Sequence, residues 1–162
     1  MKLSKQDDML ETGCMYMNKG IIIGSKAKDL LDEGYADESK PNEDAIGVGS
    51  YLLAQSIELL IKGLCFLIDQ TPPEHHIIKH SARLLLDNYK SDCPELSTIE
   101  CTLEDLNSNS FNYKLQLWQK NGRYQFLVPE KKEIDKAEFI YLDLQRFIRN
   151  YNLLNILDKR PE

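Results

Sequence analysis

Histidine is scarce in this chain. The only three, His75, His76 and His80, lie close together and precede every arginine in the sequence. Other signatures are missing altogether. There is no Walker A loop, no GxGxxG and no GxSxG, which argues against P-loop, dinucleotide-binding and serine-elbow chemistry. Cys14, Cys65, Cys93 and Cys101 form no CxxC pair and match no common zinc spacing. They read as reduced, mostly buried thiols. Positive charge is not in excess: the net charge is −6, against a general nucleic-acid coat protein. No low-complexity tract or solenoid repeat is present. The polar start MKLSKQDDMLE lacks the apolar core of a secretory signal, so the expected location is the cytoplasm.

What is present is an ordinary globular composition, 42% hydrophobic and 28% charged, over 162 residues. That length suits one domain, residues 1–162, with a real core. The charge is unevenly spread. Up to Asp105 there are 10 Lys/Arg against 19 Asp/Glu, and beyond it 10 against 7. An anion-binding surface is therefore expected in the C-terminal third.

The longest apolar run is Tyr51–Ile68, YLLAQSIELLIKGLCFLI. Leucines and isoleucines occupy most of its circumference, as in the central helix of a bundle. It is short for a membrane span and has Glu58 and Lys62 in its middle, so no membrane association is expected. Those two charges are one helical turn apart and stack on one face, with Gln55 about a turn earlier. Such a pair is expensive on an apolar helix unless its members neutralise each other or meet a partner. It is either a structural ion pair or part of a site.

Periodicity predicts a first helix over Lys5–Glu33, weakened by Gly13, Gly20 and Gly24 at ~1 kcal/mol each, though small residues permit close helix packing. A polar connection, Gly34–Glu43, leads to a second helix from Asn42 or Glu43 that ends before Thr71. A third covers His76–Tyr89 and a fourth Ser97–Leu106. The last begins near Asp135 and continues to about Leu154. Between these lies a β signal. Tyr113–Lys120 and Arg123–Val128 flank Asn121-Gly122, a preferred two-residue hairpin turn. Pairing Lys120 with Arg123 sets Leu115 opposite Val128 and Leu117 opposite Phe126. The other face would show Gln116, Trp118, Lys120, Arg123, Gln125 and Leu127. The fold expected is all-α, an up-and-down bundle of four or five helices with an inserted hairpin near residues 113–128.

Glu58, Lys62 and Phe66, followed by Pro72, Pro73, Lys79, His80, Leu84 and Leu85, resemble the HEPN family. There a long helix with an ExxxK pair leads through a Pro turn into a Lys/Thr-His helix start, and DKAEFIYLDLQRFIRNYNLL resembles the family's closing helix. The resemblance implies the helical-bundle fold and a homodimer. It also implies action on RNA or a nucleotide, or on a nucleotidyltransferase-type partner, in a defence or toxin–antitoxin-like setting, with no cofactor. HEPN ribonucleases carry Arg-x(4–6)-His on the last helix. Here Arg149-Asn150 could open that motif, but residues 151–155 contain no His. Asn155 cannot exchange a proton near neutral pH as imidazole does. The expectation is a binding module without ribonuclease activity, with Glu58, Lys62, His80, Trp118, Arg123 and Arg149 as binding candidates. The alternative is a metal-independent endoribonuclease in which Arg149 and Asn150 act with His80 or Tyr151.

Two further clusters carry weaker signals. Glu74, His76 and His80 could share a helix face and hold a transition metal, but Ile77 follows His76, so this is no HExxH site. From Phe111 to Phe126, Lys114, Lys120 and Arg123 alternate with aromatics and no acid. That pattern suits base stacking on Trp118, or a hairpin whose aromatics pack on the bundle.

Overall fold

The structure, a computed structural model, describes residues 5–69, 78–89, 93–121 and 129–150. These residues are helical almost throughout. Helix α1 is Lys5–Gly34 and α2 is Glu43–Asp69. Helix α3, Ile78–Leu84, runs into a π turn at Leu85–Tyr89. A 3-10 helix, Pro94–Ile99, leads into α4, Glu100–Asn107. Then come α5, Asn109–Asn121, and α6, Lys131–Asn150.

Helices α1 and α2 form a long antiparallel pair. The connection closes through Asn42, whose N–H donates to the Gly34 carbonyl and whose side-chain oxygen accepts the Ala45 N–H at 3.2 Å. Asn42 therefore caps α2, and Glu43 and Asp44 complement its positive pole. The buried face of α1 is Gly13, Met17, Gly20, Gly24, Ala27, Leu31 and Gly34, alternating steps of four and three. On α2 the facing row is Asn42, Gly49, Ser56 and Gly63, seven residues apart. A methyl added at Gly63 would lie 3.0 Å from the Gly13 carbonyl oxygen. At Gly20 it would lie 3.2 Å from the Ser56 carbonyl, and at Gly49 it would lie 3.2 Å from that of Ala27. Backbone thus meets backbone at heptad intervals, and the Ser56 hydroxyl donates to the Gly20 carbonyl at 2.6 Å.

Helix α2 is the centre of the molecule. It packs on α1, α3, α5 and α6, and Leu53, Ile57, Leu60, Ile61 and Leu64 are fully buried. Among the described residues it is the one helix long and apolar enough to cross a membrane, and most of that stretch is buried inside the bundle.

The sequence-predicted hairpin is corrected by α5. Tyr113–Lys120, its first strand, is helical; Arg123–Val128, its second, lies outside the described residues. Helical spacing wins because Phe111, Leu115 and Trp118 then share one buried face against the bundle, whereas an isolated hairpin is marginal in water. The start signal is Ser108, which ends α4 in extended conformation and accepts the Asn112 N–H at 3.0 Å as α5 begins. Buried Asn112 fastens this junction by donating its side-chain amide to the Leu106 and Ser108 carbonyls. The final helix also starts earlier than its periodicity suggests, at Lys131 rather than Asp135, over Glu130, whose carbonyl accepts the first helical N–H groups. Its predicted extension past Asn150 lies outside the described residues.

The glycine seam makes a specific prediction. Gly63→Ala should gain ~1 kcal/mol in helix propensity. The new methyl meets Met17 Cγ at 2.6 Å as well as backbone, so net stability should still fall by about 1–3 kcal/mol. Urea unfolding measures this, and a variant more stable than the parent would refute the close approach.

Candidate functional site

The ExxxK pair forms as its spacing requires: Lys62 Nζ lies 2.8 Å from Glu58 Oε1. The side chains are only 13% and 21% exposed, respectively. The second carboxylate oxygen accepts the Gln119 side-chain amide at 3.0 Å. Glu58 therefore ties α2 to α5, and its oxygens are occupied within the protein. Phe66, the third residue of that register, is buried and stacks on Tyr16 of α1 at 5.4 Å. Trp118 is 6% exposed on the inner face of α5. A buried indole offers no open face to a base, which corrects its assignment to a displayed sheet face. Arg123 lies outside the described residues, as do Glu74, His75, His76 and Tyr151. The backbone of His80 is in α3. Among the described residues no group of His, Cys, Asp and Glu could hold a metal ion.

The residues that come together are on α6. Asp143, Arg146, Phe147 and Asn150 line a cavity of about 170 Å³ with Thr98 and Ile99 of the 3-10 helix. Helix α4 runs alongside: the Thr102 hydroxyl donates to Asp143 Oδ2 at 2.6 Å, and Lys136 Nζ lies 3.2 Å from Asp105. A second cavity of about 240 Å³ opens at the other end of α6, lined by Ser110, Phe111, Lys114, Lys132, Glu133 and Lys136. At 100° per residue, Lys132, Lys136, Phe139, Asp143, Arg146 and Asn150 form one row along the helix. Phe139, midway between the cavities, is 62% exposed. The row joins three cations, an open aromatic ring, one carboxylate and an amide.

Arg149 and Asn150, adjacent in sequence, diverge in space. Asn150 lines the smaller cavity, while Arg149 is exposed on the flank of α6 nearer α1. Its charge reaches Tyr141, whose phenol is pushed up by burial and partly drawn back by Arg149. The sequence reading missed Asp143, Arg146 and Phe139. Their spacing of three and four residues is the signal that could have found them.

Comparison with protein-family models, with curated proteins and with solved structures finds no match.

The flank of α6 toward α1 carries a half-buried carboxyl. Burial pushes Glu138 above the ordinary carboxylate range; Asp32 and Asp135 add to this, while Lys28 and Lys131 oppose it. Folding thus favours the protonated acid, and stability falls as pH rises from below the unfolded value through the raised folded one. Glu138→Gln removes that loss. Its melting temperature should exceed the parent's at neutral pH, and the advantage should vanish below about pH 4. An equal advantage at both pH values would refute the shift.

The Glu58 junction gives a second test. Glu58→Ala strands Lys62 and the Gln119 amide and should cost about 1–3 kcal/mol. Replacing Glu58 and Lys62 together by leucine should recover much of this in denaturant unfolding. A neutral single variant would show that the pair contributes nothing.

Proposed function

We propose that this protein is a HEPN-like helical binding module that holds single-stranded RNA or a nucleotide along α6 without cleaving it. The observation that carries this reading is the row from Lys132 to Asn150. An exposed phenylalanine between cationic side chains suits stacking of one base with phosphates held on either side. Of the acids nearby, Glu133 pairs with Lys114; Asp143 stands within the row, and Glu130 and Asp105 meet Lys132 and Lys136 in exposed pairs that a ligand can displace at small cost.

Cleavage of RNA without a metal needs a group that exchanges a proton beside the ribose 2′-hydroxyl. The cavity wall offers Asn150, which cannot do this, and Asp143, whose carboxylate accepts the Thr102 hydroxyl. His80 belongs to α3, which packs on α2, α4 and α5 and makes no substantial contact with α6 among the described residues. These features favour retention of the ligand over turnover. The homodimer and the nucleotidyltransferase-type partner belong to the same family-based reading.

Fluorescence anisotropy with a labelled single-stranded RNA tests the proposal. Phe139→Ala should lose about 1–3 kcal/mol of binding, the scale of one stacked base. Arg146→Gln should weaken binding and lower its salt dependence. No RNA cleavage should occur in EDTA. Robust EDTA-resistant cleavage abolished by Arg149→Ala would establish the ribonuclease instead. Recovery of a stoichiometric protein partner with no RNA affinity would replace the RNA ligand with a protein one.

A further inference from the structure

The larger cavity, at the start of α6, shares Lys132 and Lys136 with the row but adds Lys114 and two helix starts that base stacking does not require. Its wall contains three ammonium groups, Lys114, Lys132 and Lys136, and one carboxylate, Glu133. Three lysines thus converge on one carboxylate in the lining, with Glu130 and Asp105 meeting Lys132 and Lys136 from just outside it. We propose that this cavity binds a phosphate dianion, as the free ion or as the terminal monoester of a larger molecule.

Each lysine is committed only in part. Lys114 pairs with Glu133 across the α5–α6 junction. Lys136 reaches Asp105 at 3.2 Å and stands 4.9 Å above the Phe111 ring, which supports it at the apolar wall. Lys132 lies 3.5 Å from Glu130 in a pair that is 82% and 70% exposed. An ammonium has three donors, so each lysine retains donors for a ligand after these contacts. The exposed pairs are weak and can rearrange at small cost. The first turns of α5 and α6 both border the cavity through Ser110, Phe111, Lys132 and Glu133. Their positive poles add to the lysine field.

Charge selects the ligand class. A phosphate monoester carries about −1.5 to −2 near neutral pH, enough to draw Lys132 and Lys136 from their exposed carboxylate partners. A diester in the middle of a strand carries one negative charge and competes less well for lysines that already have carboxylate partners. A carboxylate has the same deficit and fewer acceptor oxygens.

The site is distinct from the Arg146–Asn150 cleft, so its test does not depend on RNA affinity. Inorganic phosphate is titrated by calorimetry at low ionic strength into the parent, the Lys132→Gln/Lys136→Gln double variant and Arg146→Gln. Saturable binding that strengthens as phosphate takes its second charge, is lost in the double variant and survives in Arg146→Gln supports the proposal. No saturable binding, or equal binding in the double variant, overturns it. A second arm compares 5′-phosphorylated and 5′-hydroxyl RNA of one sequence. An advantage of roughly tenfold for the phosphorylated strand, abolished in the double variant, identifies the dianion as a strand end. Phosphate binding with no such advantage supports the cavity as a site for a free phosphate compound. Phosphate binding with no RNA affinity leaves this inference standing and removes the RNA reading.

Discussion

The backbone-to-backbone approach of α1 and α2 sets the rest of the molecule. Gly13, Gly20, Ala27 and Gly34 face Gly63, Ser56, Gly49 and Asn42 in an antiparallel seven-residue register. Because the seam is narrow, apolar side chains on the other faces of α2 are left to build the core with α3, α5 and α6. The seam also positions α6. At Gly24 the missing methyl leaves room for the Tyr141 ring, which is buried against α1, and the Tyr141 hydroxyl donates to the Ile21 carbonyl at 3.0 Å. Tyr141 projects from the side of α6 opposite the row Lys132–Asn150. Locking that tyrosine into the glycine gap turns the cationic row outward, beside α4. The local constraint between two helices therefore fixes the direction of a third.

Much of this architecture was legible in the sequence. The long apolar run, the Asn42 start and the Pro-bounded ends marked α2, and the ExxxK spacing foretold the Glu58–Lys62 pair. The seam was half legible. Gly13, Gly20 and Gly24 read as helix-weakening residues that could permit close packing. Their meaning required the partner row on α2, which lies in another segment and matches only in antiparallel order. The hairpin failed because Tyr113–Lys120 satisfies two periods at once. Leu115 and Leu117 alternate as in a strand, but Phe111, Leu115 and Trp118 recur as on a helix, and the surface they bury against comes from distant sequence. Tertiary burial decided between the patterns. The site was less legible still. Arg149 drew attention through its neighbour Asn150, while Arg146, one turn before Asn150, lines the cavity. Motif reading weights sequence adjacency, whereas a helix face is assembled from residues three and four apart.

An acidic protein can still present a cationic surface if its acids are spent internally. Around α6 that condition is met unevenly. Glu133 is matched by Lys114, and Glu138 lies on the opposite flank, where its own ionisation is disfavoured, whereas Asp143 keeps its charge within the row and Asp105 faces Lys136. The row is thereby relieved of part of its negative field without any excess of lysine and arginine in the whole chain. Net charge describes the far field; recognition over a few ångströms depends on which charges remain unmatched on one face.

The same row also limits what the surface can do. Its side chains are ammonium, guanidinium, phenyl, carboxylate and amide groups. Among these, the carboxylate of Asp143 is engaged as the acceptor of the Thr102 hydroxyl. The remaining groups supply positive charge, stacking area and hydrogen bonds. They can hold an anionic chain and fix its register, but they provide no proton transfer to a leaving oxygen. Lys136 and Arg146 stand about 15 Å apart along the axis, with Phe139 between them. A strand seated there would be gripped at separated points rather than bent around one reacting phosphate. The linear spacing of these groups is the feature on which the proposed binding role rests.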